Sequence, residues 1–397
     1  MFHCELQQLD GNDRLRADWY DLLLRVRPEL RLFGPEWYSI WDRTIGSQAP
    51  WTGGLQVATV YDEQDRLCGV MPIGHPKLGL LRVNALAGYY QPWRLVLAQQ
   101  THEFSVGRAL GWFLVEIGWS ILQLGPWPMS HEAHRGVLSA LNELEMPMQQ
   151  KSSEDLAIAE LPTTWEQCQS DTLSRKLLRN VRSFENRLAR EHRVTVRHLR
   201  HPSAEDTTHF LKAVAQIEQR SWLVDDPRGR PRFTGHVEQR FWSELIQEWL
   251  APQGYFDGWL MSADDEPISF VVAATVGSTR YVLANNYDNA WGRYRVGSQL
   301  YRRMFEEGYS RGATRYDFGT NELHYKSRWG AAVADRVETY TVSVNSLVSG
   351  FWNAGLKLKS LFDGGPGNHS AAHHELLSSG EPHPRSTPAR IEDLVAR

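Results

Sequence analysis

Apolar residues recur along this chain with two periods, and the elements change where one period gives way to the other. Trp19, Leu22, Leu23 and Val26, then Trp37, Ile40 and Trp41, fall at three- and four-residue spacings and predict helix over Trp19 to Ile45, broken in two by Pro28 and Gly34-Pro35. After Trp51-Thr52-Gly53-Gly54 the pattern alternates. Leu55 to Tyr61 and Leu67 to Ile73, joined by polar Asp62 to Arg66, predict a β-hairpin. A strand at Trp93 to Ala98, a helix at Val106 to Ile117 and a strand at Ser120 to Leu124 follow. Gln150 to Gln169 is polar and reads as a linker with room for a short strand at Leu156 to Leu161.

The second half repeats this order. Over Leu173 to His192, Leu177, Val181, Phe184 and Leu188 form one apolar stripe, while Arg175, Arg179 and Arg182 recur on another face. Helices at Phe210 to Glu218 and Phe241 to Leu250 flank Asp225 to Gly235, a loop rich in Asp, Pro, Arg and Gly that is placed to act as a substrate lid. Three strands come next, at Tyr255 to Met261, Ile268 to Val276 and Arg280 to Asn286. A loop to Val296, a helix over Gly297 to Ser310 with Leu300, Met304, Phe305 and Gly308 in phase, and a strand at Thr314 to Phe318 complete a βαβ unit. A strand at Thr339 to Val344 and a helix from Val344 to Phe362 precede a tail dominated by Gly, Pro, Ser and His, which predicts disorder. The fold class is therefore α/β with mixed sheets. The 397 residues exceed the size at which one core keeps growing, and divide into 1–160, 170–362 and a tail 363–397.

Composition changes this picture in a few places. Sixteen Trp serve either as core or as flat platforms for sugars or bases. Three Cys without a CxxC pair suggest neither a disulfide framework nor a zinc site, which fits a reducing compartment. The tail histidines His369, His373, His374 and His383 fit a flexible segment better than a metal site, and no metal is expected. Met1-Phe2-His3-Cys4-Glu5 does not open a secretory signal, and no run of about 18 apolar residues is present to cross a bilayer, so a cytoplasmic location is expected. The net charge of −4 does not argue for bulk nucleic-acid binding. Locally, Ser174 to Arg200 carries nine basic residues against two acidic ones, a net of +7. It is either a solvated face or an anion site, and the prevalence of Arg suits bidentate phosphate contacts.

Candidate chemistry gathers at Arg295-Val296-Gly297-Ser298-Gln299. A helix starting there presents free amides and the positive end of its dipole, and a Gly lets an anion come close, so a phosphate is the expected tenant. No Ser-His-Asp order, HExxH helix or Walker loop is present, which leaves hydrolase, zincin and NTPase readings unsupported. Tyr287-Asp288-Asn289-Ala290, Tyr294 through Leu300, Arg311-Gly312, Tyr316-Asp317-Phe318-Gly319 and Tyr325-Lys326 resemble, in order and spacing, the acyltransferase domain of the cellulose-biosynthesis (CelD-like) group. That group belongs to the GNAT superfamily and is a cousin of the Fem-type peptidyltransferases.

The resemblance implies tandem GNAT-like domains, the N-terminal one degenerate, with Phe104-Ser105-Val106-Gly107 as a weak counterpart of the glycine helix start. It implies acyl-CoA, acetyl-CoA in particular, as co-substrate rather than a permanent cofactor, its pyrophosphate on Arg295, Val296, Gly297, Ser298 and Gln299. The acceptor would be an amine or hydroxyl of a sugar, polysaccharide precursor or similar molecule. Lys326 is either a charge near the reacting ester or a surface Lys beside a core Tyr325. Asp317 is a base, an orienter of Lys326, or a turn former, and His324 is a lesser base. Arg175, Arg179, Arg182 and Trp222 would face substrate, although Leu223 stands where relatives usually carry Lys after that Trp. Two alternatives remain: an aminoacyltransferase using charged tRNA, and a non-catalytic accessory of a polysaccharide-synthesis complex.

Overall fold

The computed structural model describes residues 2–78, 81–88, 93–224, 231–249, 254–320, 323–350 and 352–354. The expected tail, residues 351 and 355–362 of the helix expected at Val344 to Phe362, and residues 225–230 of the expected lid lie outside the described residues. The first half runs β1 His3–Gln8, α1 Asp13–Arg25, α2 Pro35–Trp41, β2 Gln56–Tyr61, β3 Leu67–Gly74, β4 Lys77–Leu78, β5 Leu81–Leu86, β6 Leu97–Ala98, α3 Glu103–Glu116, β7 Ile121–Pro128, α4 Glu132–Glu143 and β8 Met148–Glu160. The second runs α5 Trp165–Gln167, α6 Arg175–Glu191, β9 Val194–Arg200, α7 Ala204–Glu218, α8 His236–Glu248, β10 Gly254–Ala263, β11 Glu266–Val276, β12 Thr279–Tyr287, α9 Val296–Ser310, β13 Arg315–Thr320, α10 Leu323–Ser327 and β14 Ala332–Ser343.

One mixed sheet carries both halves, in the order β1-β2-β3-β5-β7-β14-β8-β13-β12-β11-β10-β9. Read inward from either edge, the two halves have the same plan: antiparallel strands lead to one parallel pair, β5 with β7 and β12 with β13, each joined through a helix. The innermost strands are exchanged. β14, from the end of the second half, pairs with β7 of the first, and β8, from the end of the first, pairs with β13 of the second, while β8 and β14 pair with each other. The polar stretch expected as a linker is thus the 13-residue strand β8 near the middle of the sheet. Its N-terminal residues are polar because they are only partly covered, and burial begins at Leu156.

Other expectations shift for local reasons. Of Trp93 to Ala98 only Leu97 and Ala98 form a strand, against β3. In α6 the buried residues are Leu178, Val181 and Leu188, and Leu177 packs partly buried against the same core. The strand β1 is a sheet edge with alternating exposure, and α4 buries mostly small residues, so neither gives a strong apolar signal. Most Trp side chains are core: Trp19, Trp37, Trp41, Trp127, Trp242, Trp259 and Trp329 are fully buried, whereas Trp112 and Trp222 are exposed.

The first half lacks an open helix start. Gly107 lies inside α3, where a Cβ would come within 1.9 Å of the Ala133 carbonyl oxygen, so this glycine serves close packing of α3 on α4. The first turn of α3 already carries a carboxylate, Glu103, gripped by Arg27 through two 2.7 Å bonds. Beside β7, buried Arg94 donates through its backbone to Pro126 O at 2.7 Å and through its guanidinium to Gly125 O at 3.3 Å.

Exchange of β8 and β14 makes each half depend on the other. A chain ended after Gly330 removes the strand between β7 and β8 and is expected to lose cooperative thermal unfolding of both halves, read by circular dichroism. A sharp melt for residues 1–160 expressed alone would contradict this dependence.

Candidate functional site

Strands β12 and β13 pair at only three positions, Thr279 with Arg315, Arg280 with Tyr316 and Tyr281 with Asp317, and then part. Between the diverging ends lies a cavity of about 780 Å³ whose walls include Leu283 to Tyr287 of β12, Phe318 and Thr320 of β13, and the start of α9. At the closed end the buried guanidinium of Arg280 donates to Thr275 Oγ1 (2.9 Å), Met304 O (2.7 Å), Asp257 Oδ2 (3.0 Å) and Glu307 Oε2 (2.7 Å). It ties β12 to its neighbours and to α9.

The helix start is built by the turn before it. Asp288 accepts from Ala290 N at 2.9 Å and opens a 3₁₀ turn over Asn289–Tyr294, and Arg295 takes a left-handed conformation (φ 54°, ψ 40°) that redirects the chain into α9. Buried Gln299 donates to Tyr294 O at 2.8 Å and locks the turn, and Val296 packs in the core. Arg295, Gly297 and Ser298 line the cavity. A Cβ built on Gly297 would meet only Tyr287 Cδ1, at 3.6 Å, so a side chain there would enter the cavity and not the protein. Of the five residues expected to cradle a phosphate, three line the cavity and two hold the turn.

Tyr325, Lys326 and Trp222 line the same cavity. The Lys326 side chain is buried, with Nζ donating to Thr320 O at 2.6 Å and Gly319 O at 3.3 Å, so its charge sits at the parting end of β13. Tyr325 stacks on Tyr301 with ring centroids 6.2 Å apart. Asp317 is placed elsewhere. Strand alternation turns it from Phe318's face to a separate cavity of about 140 Å³, which it lines with Arg27 and His131. It accepts there from Gly319 N at 2.7 Å and Trp93 Nε1 at 3.3 Å, and burial raises its pKa. These bonds fix the irregularity at Gly319 near the end of β13, where the register with β8 shifts. Arg175, Arg179 and Arg182 are likewise apart from the cavity: with Arg190 they line an open concavity of about 900 Å³ on the outer face of α6. His324 is exposed, at 3.2 Å from Arg328 Nη2.

The residue that sequence reasoning passes over is Glu218. It ends α7, lines the cavity, and is 1% exposed. Its Oε2 accepts from Arg232 N and Phe233 N at 2.8 Å each. Burial outweighs those amides and the Arg232 charge and pushes its pKa up to about 7. Its spacing carried a signal, because Leu211, Val214 and Glu218 fall on one helix face and put a carboxylate in the apolar stripe.

His198, Asp257 and Glu307 approach closely enough to suggest a metal site. Arg280 already binds both carboxylates, and Arg200 lies at 3.4 Å from Asp257 Oδ1 and bonds Glu307. Two guanidinium groups supply the positive charge that a cation would bring, and the cluster is an ion-pair network.

The comparisons with known proteins agree with this geometry. Among solved structures, that titled "Crystal structure of FemX" aligns with a TM-score of 0.60 at 12% identity, covering 87% of this chain and 99% of that one. A tandem GNAT protein from the clavulanic acid biosynthesis pathway aligns with a TM-score of 0.51 at 8% identity, with coverage of 87% and 99%. At these identities the likeness shows the fold. No curated protein matches the chain. A family model described as an acetyltransferase (GNAT) domain matches residues 175–327, the segment that carries α6 through α10. Residues 175–327 thus carry the similarity to the acetyltransferase (GNAT) domain, within a mixed α/β fold similar to that of tandem GNAT proteins.

Proposed function

We propose that this protein transfers an acyl group, acetyl in the first instance, from acyl-CoA to an amine or hydroxyl of a sugar, polysaccharide precursor or similar acceptor, as in the CelD-like group. The observation that carries this reading is Gly297 at the start of α9, open toward a cavity of about 780 Å³ between parted strands. The amides of that first turn and Arg295 suit a pyrophosphate. Past Tyr281 the edge of β12 no longer pairs with β13, and its backbone groups are available to an extended pantetheine arm. Lys326 supplies positive charge in the same cavity, where an oxyanion develops on the reacting carbonyl. Asp317 acts as a positioning residue through the Gly319 turn that Lys326 caps. An acyl-CoA donor fits a cytoplasmic location, and no described helix is long and apolar enough to cross a membrane.

A second reading, aminoacyl transfer from charged tRNA, is favoured by one observation, the open basic concavity on α6. A non-catalytic accessory role in a polysaccharide-synthesis complex would leave the cavity without acyl-CoA. Titration with acetyl-CoA followed by calorimetry separates these readings, since only the first requires saturable binding.

Gly297→Val is expected to abolish acetyl-CoA binding with a stability change of about 1 kcal/mol or less, because the new side chain meets little but cavity. Full affinity in that variant would remove the cradle. Lys326→Ala should keep acetyl-CoA binding while turnover falls by about two to three orders of magnitude. Unchanged turnover would leave the lysine as a cap on Gly319 and Thr320 alone. Replacing Arg175, Arg179 and Arg182 together by Gln leaves Leu178, Val181 and Leu188 in place, so the fold should persist while an anionic substrate is needed at higher concentration. A triple variant with the parent's KM would assign that face to solvation.

A further inference from the structure

Ser174 to Arg200 carries nine basic side chains, and the structure divides them into two sets. Four are neutralised by acids: Arg187 by Glu191 at 3.0 Å, Arg197 by Asp206 at 2.8 Å, Arg193 by Asp265, and Arg200 by Glu307 and Asp257. The other five, Arg175, Lys176, Arg179, Arg182 and Arg190, form no salt bridge with any described residue. Arg175, Arg179, Arg182 and Arg190 line the open concavity on the outer face of α6, and no acid lines it with them. We propose that this face docks the protein, peripherally and reversibly, on a bilayer surface containing anionic phospholipid. The inference does not depend on the acyl-CoA reading.

Three observations carry it. Arg175, Arg179, Arg182 and Arg190 follow one face of a single helix, and at 1.5 Å per residue the row they make is about 22 Å long. A single pyrophosphate is much shorter, so the row matches many phosphates presented side by side. Between the arginines the lining is Gln169, Ser183, Asn186, Ala189 and the edge of Leu178, without an aromatic ring. Single-stranded nucleic acid is held by stacking on rings as well as by charge, and this face offers charge and hydrogen-bond donors alone. The apolar side of α6 is already committed, because Leu178, Val181 and Leu188 are buried and Glu185 bonds Arg302 of α9 at 3.2 Å. The helix therefore meets a bilayer as a fixed row of charges and does not insert into it.

The charge balance of the whole chain favours a plane as the partner. The chain carries −4 while Ser174 to Arg200 carries +7, so everything outside that segment is acidic on balance. An anionic plane attracts the one face and repels the remainder, which orients the molecule; a long anionic polymer that runs past the row meets acidic surface. Each basic side chain near an anionic leaflet contributes about fivefold to binding, and four together about two to three orders of magnitude. No described helix is long and apolar enough to cross a bilayer, and this attachment requires none.

Flotation of the full chain tests this, with vesicles of phosphatidylcholine alone or of phosphatidylcholine and phosphatidylglycerol in equal parts. The parent should float with the mixed vesicles, stay behind with phosphatidylcholine alone, and be released by sodium chloride as the charges are screened. Replacing Arg175, Arg179, Arg182 and Arg190 together by Gln should lower uptake by about 100-fold or more. Lys at the same four positions keeps the charge and should keep uptake near the parent's, so a loss in the Gln variant reads as lost charge and not as lost fold. Arg193→Gln with Arg197→Gln removes two charges already paired with Asp265 and Asp206, and should also leave uptake near the parent's. The proposal is overturned if the parent ignores the anionic vesicles, if the quadruple Gln variant floats as the parent does, or if the Lys variant or the paired-arginine control loses as much as the Gln variant. Retention of the parent on immobilised tRNA without uptake on anionic vesicles overturns it too, and assigns the face to nucleic acid.

Discussion

The guanidinium of Arg280 lies fully buried at the middle of the three residue pairs that join β12 to β13, and its bonds reach β10, β11 and α9 at once. Leaving a buried charge without one of its partners costs about 3–5 kcal/mol, so these elements are fixed relative to one another at this point. One residue further on, at Tyr281, pairing ends and the strands part. The cavity, the open helix start and the placement of Lys326 all follow from that ending. Arg200 and His198 extend the network to the sheet edge, so the rigid end of the cleft is anchored across the whole second half.

The two halves share a plan but not an outcome. In the first, β5 and β7 pair over three residues as β12 and β13 do, yet Glu103 at the start of α3 already supplies the negative charge that a phosphate would bring. Arg94 fills the space beside β7. The first half instead contributes support. Through β8 it forms the flank of β13, and Trp93 donates to Asp317 at the base of the turn that leads to Lys326. Removing cleft chemistry from one half and keeping its strands is what lets the sheet run unbroken behind the other.

Sequence was sufficient wherever a signal is local. The periods of α1, β2, β3, α9 and β12 appear in runs of adjacent residues, and a glycine at a helix start after a strand is itself a physical statement about an open backbone. The repeat of elements was legible for the same reason, and it carried the tandem fold. Half-buried elements were harder to see. The edge strand β1 and the small-residue helix α4 bury too little apolar area to stand out from their surroundings.

Tertiary structure decided what depends on residues far apart in the chain. Nothing near Met148–Glu160 shows that a polar stretch is completed by a strand almost two hundred residues later, because its partners are supplied by β14 and β13. Alternation along β13 is written in the sequence, but which face meets the cavity is not, and that choice set Lys326's neighbours on one side and sent Asp317 to the other. The basic face of α6 was countable as charge, yet its separation from the cleft is a matter of packing. Glu218 shows the limit most plainly: its position on an apolar stripe is readable, whereas the desolvation that moves its pKa exists only once α7 is covered and the amides of Arg232 and Phe233 have closed over it.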